Sequence, residues 1–336
     1  MLSRILAVAF VCLTISIAKQ AGAQDFQTVF QQGQSALRSG SFDKADSCFQ
    51  RAYQLDSTSV LLMTDWALTQ WYLKDYAKGI QLLTPWYQRD TIDEQLLRVA
   101  VMLYKSNQQF NEAEGLLQQA TLKHPKNGAF YHDYGELLAA RNDVRCISQW
   151  EKGIAYDPGF PDNYFQACIY YTNRQQWLWA ALYGEIYINL DPLNTKSSRI
   201  RELLLRSYRE LFSEVVSDSL SVPKNDFTGL ILDIYKEQSD RLRLPMNTSL
   251  ITMIRARFII DWFEHGGEEK PFCLFEWQRQ LMRQGHFESY NQWIFGVSEN
   301  MGTFQRWLSL NRESYTQFLT FQRTHVFQVP MNQYYR

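Results

Sequence analysis

The feature that most limits how this 336-residue chain folds is a spacing of small and aromatic residues that returns every 34 positions. Gly33, Phe42, Ala45, Phe49 and Ala52 are echoed by Ala67, Tyr76, Gly79, Leu83 and Trp86. Val101, Phe110, Ala113, Leu117 and Ala120 repeat the pattern again, with Pro125 closing the third copy. Self-similarity at such a period marks a repeat protein, in which each unit is too small to bury its apolar face alone and does so against its neighbours. Breakers separate the apolar-periodic runs independently of that echo. Ser39-Gly40-Ser41 and Arg141-Asn142-Asp143 interrupt two of them, and Asp157-Pro158 and Asp191-Pro192 end others.

The spacing resembles the tetratricopeptide repeat, a helix-turn-helix unit of 34 residues whose small residues let paired helices approach and whose aromatics fill the space between units. Carried forward, the register gives a third repeat over 94–127 and a fourth that opens at Gly128, with Tyr131, Gly135 and Leu138 in the expected places. Between Asn142 and Trp150 the turn is one residue short, after which Cys146, Trp150 and Pro158 resume the spacing. A fifth repeat, 161–194, carries Tyr164, Cys168, Tyr171, Trp177, Ala180 and Pro192. The resemblance covers residues 26–194 as five repeats and implies an all-α fold, a right-handed superhelix of helix-turn-helix units followed by a helical C-terminal domain. The second repeat departs most, with Gly79 and Trp86 where alanine is usual and with Pro85 inside its second helix. A proline there lacks the backbone donor and is expected to bend that helix or end it early.

Before the repeats, residues 1–23 have the layout of a cleaved secretory signal: Arg4, an apolar run from Ile5 to Ile17, and Ala21-Gly22-Ala23 ahead of Gln24. The run is short for a bilayer span, and Cys12 follows bulky Phe10 and Val11 and so does not fit a lipoprotein site. After Asn194 the period fades. Residues 195–222 read as a capping helix, Ser198 to Val216, and a linker; residues 223–336 read as a helical domain. Its helices are expected near Thr228 to Leu242, Thr248 to Glu264, Pro271 to Arg283, Met301 to Asn311 and Arg312 to Arg323. Leu274 to Gly296 resembles one more degenerate hairpin with Gly285 at its turn, and the tail from Phe327 is left to pack or to hang free.

Chemistry-bearing patterns are scarce. Removing Arg4 and Lys19 with the signal leaves 32 basic against 35 acidic residues, with no basic run interleaved with aromatics, so nucleic acid is not an expected partner. No apolar segment after the signal approaches a membrane span. The motifs of serine hydrolases, zinc peptidases and phosphate- or dinucleotide-binding loops are missing, and no catalytic residue, cofactor or metal is assigned. Five scattered histidines, His124, His132, His265, His286 and His325, read as surface or packing residues, as do Asp240 and Glu264. The loop His265 to Lys270 reads as a helix stop at Gly266 with solvated charges rather than a metal site. Asn247-Thr248-Ser249 matches a glycosylation acceptor. Cys48, Cys146, Cys168 and Cys273 form no metal pattern; Cys146 and Cys168 stand either as buried thiols or as a bridge.

The resemblance also implies where a partner would bind, because the first helix of each such repeat lines a concave groove. Mapped onto this chain, the groove positions are Thr64, Leu68, Trp71 and Tyr72 in repeat two and Arg98, Met102 and Lys105 in repeat three. Repeat four contributes His132 and Glu136, and repeat five Phe165, Ile169 and Asn173. Aromatic anchors among a few charges suit a peptide or protein segment. Trp71 and Tyr72 admit a second reading, in which the second repeat's irregular neighbour covers them. Phe30, Gln34, Asp65, Gln95 and Val99 occupy the places of the family's carboxylate clamp and do not supply one. The expected function is an exported scaffold binding a protein or peptide partner, in bacterial envelope assembly or maintenance and located in the periplasm or envelope. The alternatives are an enzyme with its site in the C-terminal domain, or a small-molecule or glycan binder using the aromatic groove.

Overall fold

The computed structural model describes residues 24–87, 93–220 and 225–333, and every regular element among them is helical. The signal segment, part of the linker including Pro223, and the last three residues of the tail lie outside the described residues. The chain forms two compact units, one ending at Lys123 and one beginning at His124.

The first unit holds three hairpins. They are α1 (24–38) with α2 (Phe42–Leu55), α3 (Val60–Tyr72) with α4 (Tyr76–Tyr87), and α5 (Glu94–Ser106) with α6 (Phe110–Lys123). Ala45 and Ala113 have no exposed surface, as positions where paired helices meet require. A carboxylate joins the first two hairpins: Asp46 on α2 accepts from Trp66 Nε1 (2.6 Å), Gln70 Nε2 (2.5 Å) and Lys78 Nζ (3.0 Å). Burial penalises the Asp46 charge, but the bonds from Trp66, Lys78 and Gln70 outweigh it, and the carboxyl lies below its ordinary range. Helix α4, expected to bend or end early at Pro85, is described through that residue to Tyr87. So close to a helix end, proline removes a single bond of the last turn.

The second unit continues with α7 (Gly128–Ala140), α8 (Cys146–Tyr156), α9 (Pro161–Asn173) and α10 (Trp177–Leu190). Gly135 is required here, because a Cβ at this position would lie 2.2 Å from Trp150 Nε1 on α8. Helix α11 (Ser197–Ser217) packs on both α9 and α10, where the first helix of a further repeat would sit. Beyond it lie α12 (Asp226–Lys236), the short α13 (Ser239–Leu242), α14 (Thr248–Glu264), α15 (Cys273–Arg283) and α16 (Phe287–Asn291). A π turn over Gln292–Gly296 leads into α17 (Val297–Glu299), then α18 (Met301–Leu310) and α19 (Arg312–Thr324). The expected helix from Thr228 to Leu242 is thus two helices. The one expected from Pro271 starts at Cys273, after a left-handed Gly266 (φ 84°) and a 3-10 turn.

One apolar core runs from Ile154 to Phe327, so the repeats of this unit and the C-terminal helices share it. Its densest part is aromatic: Phe275 lies 4.9 Å from both Trp262 and Phe272 and 5.0 Å from Phe258. The tail packs, with Phe327 buried against Trp277 at 5.9 Å. The four cysteines among the described residues are buried free thiols, so Cys146 and Cys168 are not bridged; burial pushes Cys168 up to about 12. Asn247 caps α14, accepting from Leu250 N at 2.9 Å.

Backbone landmarks record the repeat more sharply than side chains do. The turn inside each hairpin closes on a left-handed residue: Gly40, Lys74, Gln108, Asn142 and Gln175, with φ from 56° to 77°. First helices are capped by Ser59, Asp93 and Asn127, each accepting from a backbone N–H of its own first turn, and then by Phe160 before Pro161. Both series step by 34 until the fourth repeat and by 33 across it. The omitted residue therefore falls between Asn142 and Phe160, where α8 is reduced to 11 residues.

Candidate partner-binding surface

In the first unit, the seven groove positions expected from the sequence differ in what they offer. Thr64 is buried, its hydroxyl donating to Val60 O at 2.9 Å. Trp71 is half-buried, and its Nε1 donates to Ser106 Oγ at the end of α5 (2.8 Å). Tyr72 stacks on Phe42 at 4.5 Å while remaining 44% exposed. Both rings therefore tie repeats together and keep some surface. Leu68, Met102 and Lys105 are half-buried and Arg98 is exposed, so α5 presents a mixed apolar and cationic face. Gln34 donates to Asp65 at 2.8 Å, and burial raises the Asp65 carboxyl above its ordinary range despite that bond.

In the second unit, the structure brings two of the expected residues to a cleft of about 600 Å³. Ile169 and Asn173 line it from α9 together with Gln166 and Tyr170. Val144 and Cys146 at the start of α8, with Trp150, form the opposite wall. Trp150 is held by its fit beneath Gly135 and by donation from Nε1 to His132 O (3.3 Å). At the rim, the Arg174 guanidinium lies 4.6 Å from the Tyr170 ring. The cleft thus joins an apolar floor to a cation held over an aromatic face. Phe165 does not reach it. That ring is buried against Tyr187 at 5.4 Å with Lys196 Nζ 4.9 Å away, which serves packing rather than a free anchor. His132 is buried on α7, and half-buried Glu136 accepts from Gln166 Nε2 at 3.2 Å.

The sequence reading missed a polar centre inside this unit. Glu185 on α10 is wholly buried and accepts from Tyr208 (2.8 Å), Tyr290 (2.8 Å), Gln278 (2.7 Å) and Arg255. Arg255, 1% exposed, also donates to Asn291 and lies 4.9 Å from the Tyr208 ring. Burial opposes the Arg255 charge, but the Glu185 carboxylate outweighs it and the guanidinium is held more firmly protonated than usual. Burial likewise drives the Tyr208 and Tyr290 hydroxyls well above their ordinary values, so they act as donors. These groups satisfy one another out of solvent and join five helices. Asp240 and Glu264 are exposed.

The 34-residue step of caps and turns decides the architecture. The repeats are of the tetratricopeptide type. Solved structures similar to this chain include a thermophilic TPR protein from Thermus thermophilus, 15% identical with a TM-score of 0.43, the match covering 54% of this chain and 99% of that one. YrrB, a TPR protein with an unusual peptide-binding site, is 15% identical with a TM-score of 0.39, over 56% and 97% of the two chains. A tetratricopeptide repeat protein from Parabacteroides merdae is 11% identical with a TM-score of 0.43, over 89% and 99%. No protein-family model and no curated protein matches the sequence. No helix among the described residues is long and apolar enough to cross a membrane.

Proposed function

We propose that this protein is an exported interaction scaffold whose repeat helices hold a protein or peptide segment, acting in the bacterial cell envelope. The observation that carries the reading is the cleft between α8 and α9, with Val144, Ile169, Tyr170 and Trp150 as its apolar lining and Arg174 at its rim. Such a site takes an aliphatic or aromatic side chain and sets its register by an acidic group near Arg174. On the first unit, Arg98, Met102 and Lys105 offer a surface of matching character. Export rests on Ala21-Gly22-Ala23, and no catalytic step is proposed.

Selection of peptides from a displayed random library on the purified mature chain supplies a ligand. Its affinity is then measured calorimetrically for wild type, Ile169→Glu and Tyr170→Ala, with circular dichroism as the folding control. Each substitution should weaken binding by about tenfold or more. Unchanged affinity in folded variants would move the site elsewhere. Amino-terminal sequencing of the native protein tests export, with Gln24 as the expected first residue.

A further inference from the structure

Helix α7 carries a group of side chains that lies outside the cleft between α8 and α9. His132, Asp133 and Glu136 place ligand-type atoms within 4.8 Å of one another. His132 is 8% exposed, and its Nε2 has no hydrogen-bond partner although no solvent reaches it. A buried ring nitrogen without a partner is costly and calls for a reason. Its other nitrogen, Nδ1, lies 3.4 Å from Asp133 Oδ1; a carboxylate only accepts, so in the neutral ring Nδ1 carries the proton and Nε2 presents its lone pair. That lone pair has Glu136 Oε1 at 3.8 Å, the next side chain on the same face one helical turn on.

We propose that His132 Nε2 and Glu136 Oε1 bind a divalent transition-metal ion of the zinc, copper or nickel class, with Asp133 as the residue that orients the imidazole. With bonds of about 2.0 to 2.2 Å to nitrogen and carboxylate oxygen, donors this far apart subtend roughly 120 to 145° at the ion, and closing to a tetrahedral angle needs the flexible Glu136 side chain to move in by about 0.4 Å. An imidazole with a carboxylate selects these ions over magnesium or calcium, which require all-oxygen shells. Hydrogen bonding of the ligand histidine's second nitrogen to a carboxylate is the usual way its tautomer and orientation are set. Gln166 steadies Glu136 from α9 through its 3.2 Å bond. The four thiols are buried and do not compete.

The test uses the full mature chain and metal alone, with no peptide present, so it is separable from the peptide reading. Zinc chloride is titrated calorimetrically in chelator-free buffer, and cobalt is used in parallel for its visible absorption. One equivalent should bind to wild type. Binding should be lost in His132→Ala and in Glu136→Gln, and weakened by about tenfold or more in Asp133→Asn. Glu136→Gln keeps the shape of a half-exposed side chain, and circular dichroism reports that it is folded. The double variant His286→Ala/His325→Ala removes two histidines elsewhere in this unit, whose rings flank Phe321, and should bind as wild type does. The proposal is overturned if wild type shows no saturable binding, if binding survives in both folded ligand variants, or if it disappears in the His286/His325 variant.

Discussion

Two regions of the second unit are held by opposite means. In the hairpin of α7 and α8 the decisive contact is one of shape: Gly135 leaves the room into which Trp150 fits. Where α10 meets α11, α14, α15 and α16 the decisive contact is one of charge, Glu185 against Arg255 with Tyr208, Gln278 and Tyr290 also donating to the carboxylate. A shape requirement accepts any residue small enough and can be restated unit after unit, which is why it repeats. A buried ion pair holds only while all its partners are present, and so it occurs once. The first kind of contact should fail gradually under substitution and the second abruptly.

The sharpest test of that difference is Arg255→Leu, which leaves the Glu185 carboxylate buried without its cation and should cost about 3 to 5 kcal/mol. Removing both charges in Glu185→Leu/Arg255→Leu should cost less than the single substitution, since a well-packed apolar pair of similar volume often replaces a buried ion pair with little loss. Urea unfolding followed by tryptophan fluorescence measures both. A double variant no more stable than Arg255→Leu would mean that geometry, not charge, holds this region.

On the shape side, Ala45→Leu and Ala113→Leu should overpack their hairpins by about 1 to 3 kcal/mol each, and Gly135→Ala should fall in the same range. Lys44→Ala, at an exposed site next to Ala45, should change little. Leucine variants that melt as wild type does would show that the first unit is not held by these close approaches.

The same contrast explains what could be read in the sequence. Repeat boundaries were legible because small residues, breakers and aromatics recur at a fixed step, and the short fourth repeat was visible as a missing residue after Asn142. The caps Ser59, Asp93 and Asn127 carry the same step and would have sharpened the register. Glu185 was not legible. It sits in a helix that is apolar on nearly every side, and its partners Arg255, Gln278 and Tyr290 are 70, 93 and 105 residues away with no period linking them. The π turn at Gln292–Gly296 follows Tyr290 and Asn291, which both face the interior, an arrangement that a reading at 3.6 residues per turn does not anticipate. His132 and Glu136 were each legible as inner-face positions of a repeat helix. What was missed is that the free imidazole nitrogen faces the carboxylate, which depends on a side-chain orientation set by Asp133.

Asp46 lies between the two extremes, a charged contact inside a repeat. Its folded carboxyl lies below the ordinary value, so it stabilises the fold at pH above about 3.9, its unfolded value, and that contribution is lost as pH falls through the depressed folded value. Wild type should therefore exceed Asp46→Asn in stability at neutral pH, and the gap should close in acid below about pH 4. A gap that persisted undiminished in acid would assign the effect to the geometry of Trp66 and Gln70 instead of the charge.

The smallest expected effect lies in the turns, where repeats tolerate strain that the polar centre would not. Lys74 and Gln108 hold φ of 63° and 60° in exposed turns. That conformation costs a side-chain-bearing residue about 1 to 2 kcal/mol. Glycine removes the cost but gives the unfolded chain more freedom, worth about 0.5 to 1 kcal/mol against the substitution. Gln108→Gly and Lys74→Gly should therefore each stabilise by a few tenths to about 1 kcal/mol. Asn142→Gly, at φ 56°, should gain less, because asparagine already tolerates the left-handed region. Thermal melts of the three variants give the ranking. Equal gains at Asn142 and Gln108 would mean that backbone strain is not what separates them, and a loss at Gln108 would mean that its side chain makes a contact the turn depends on.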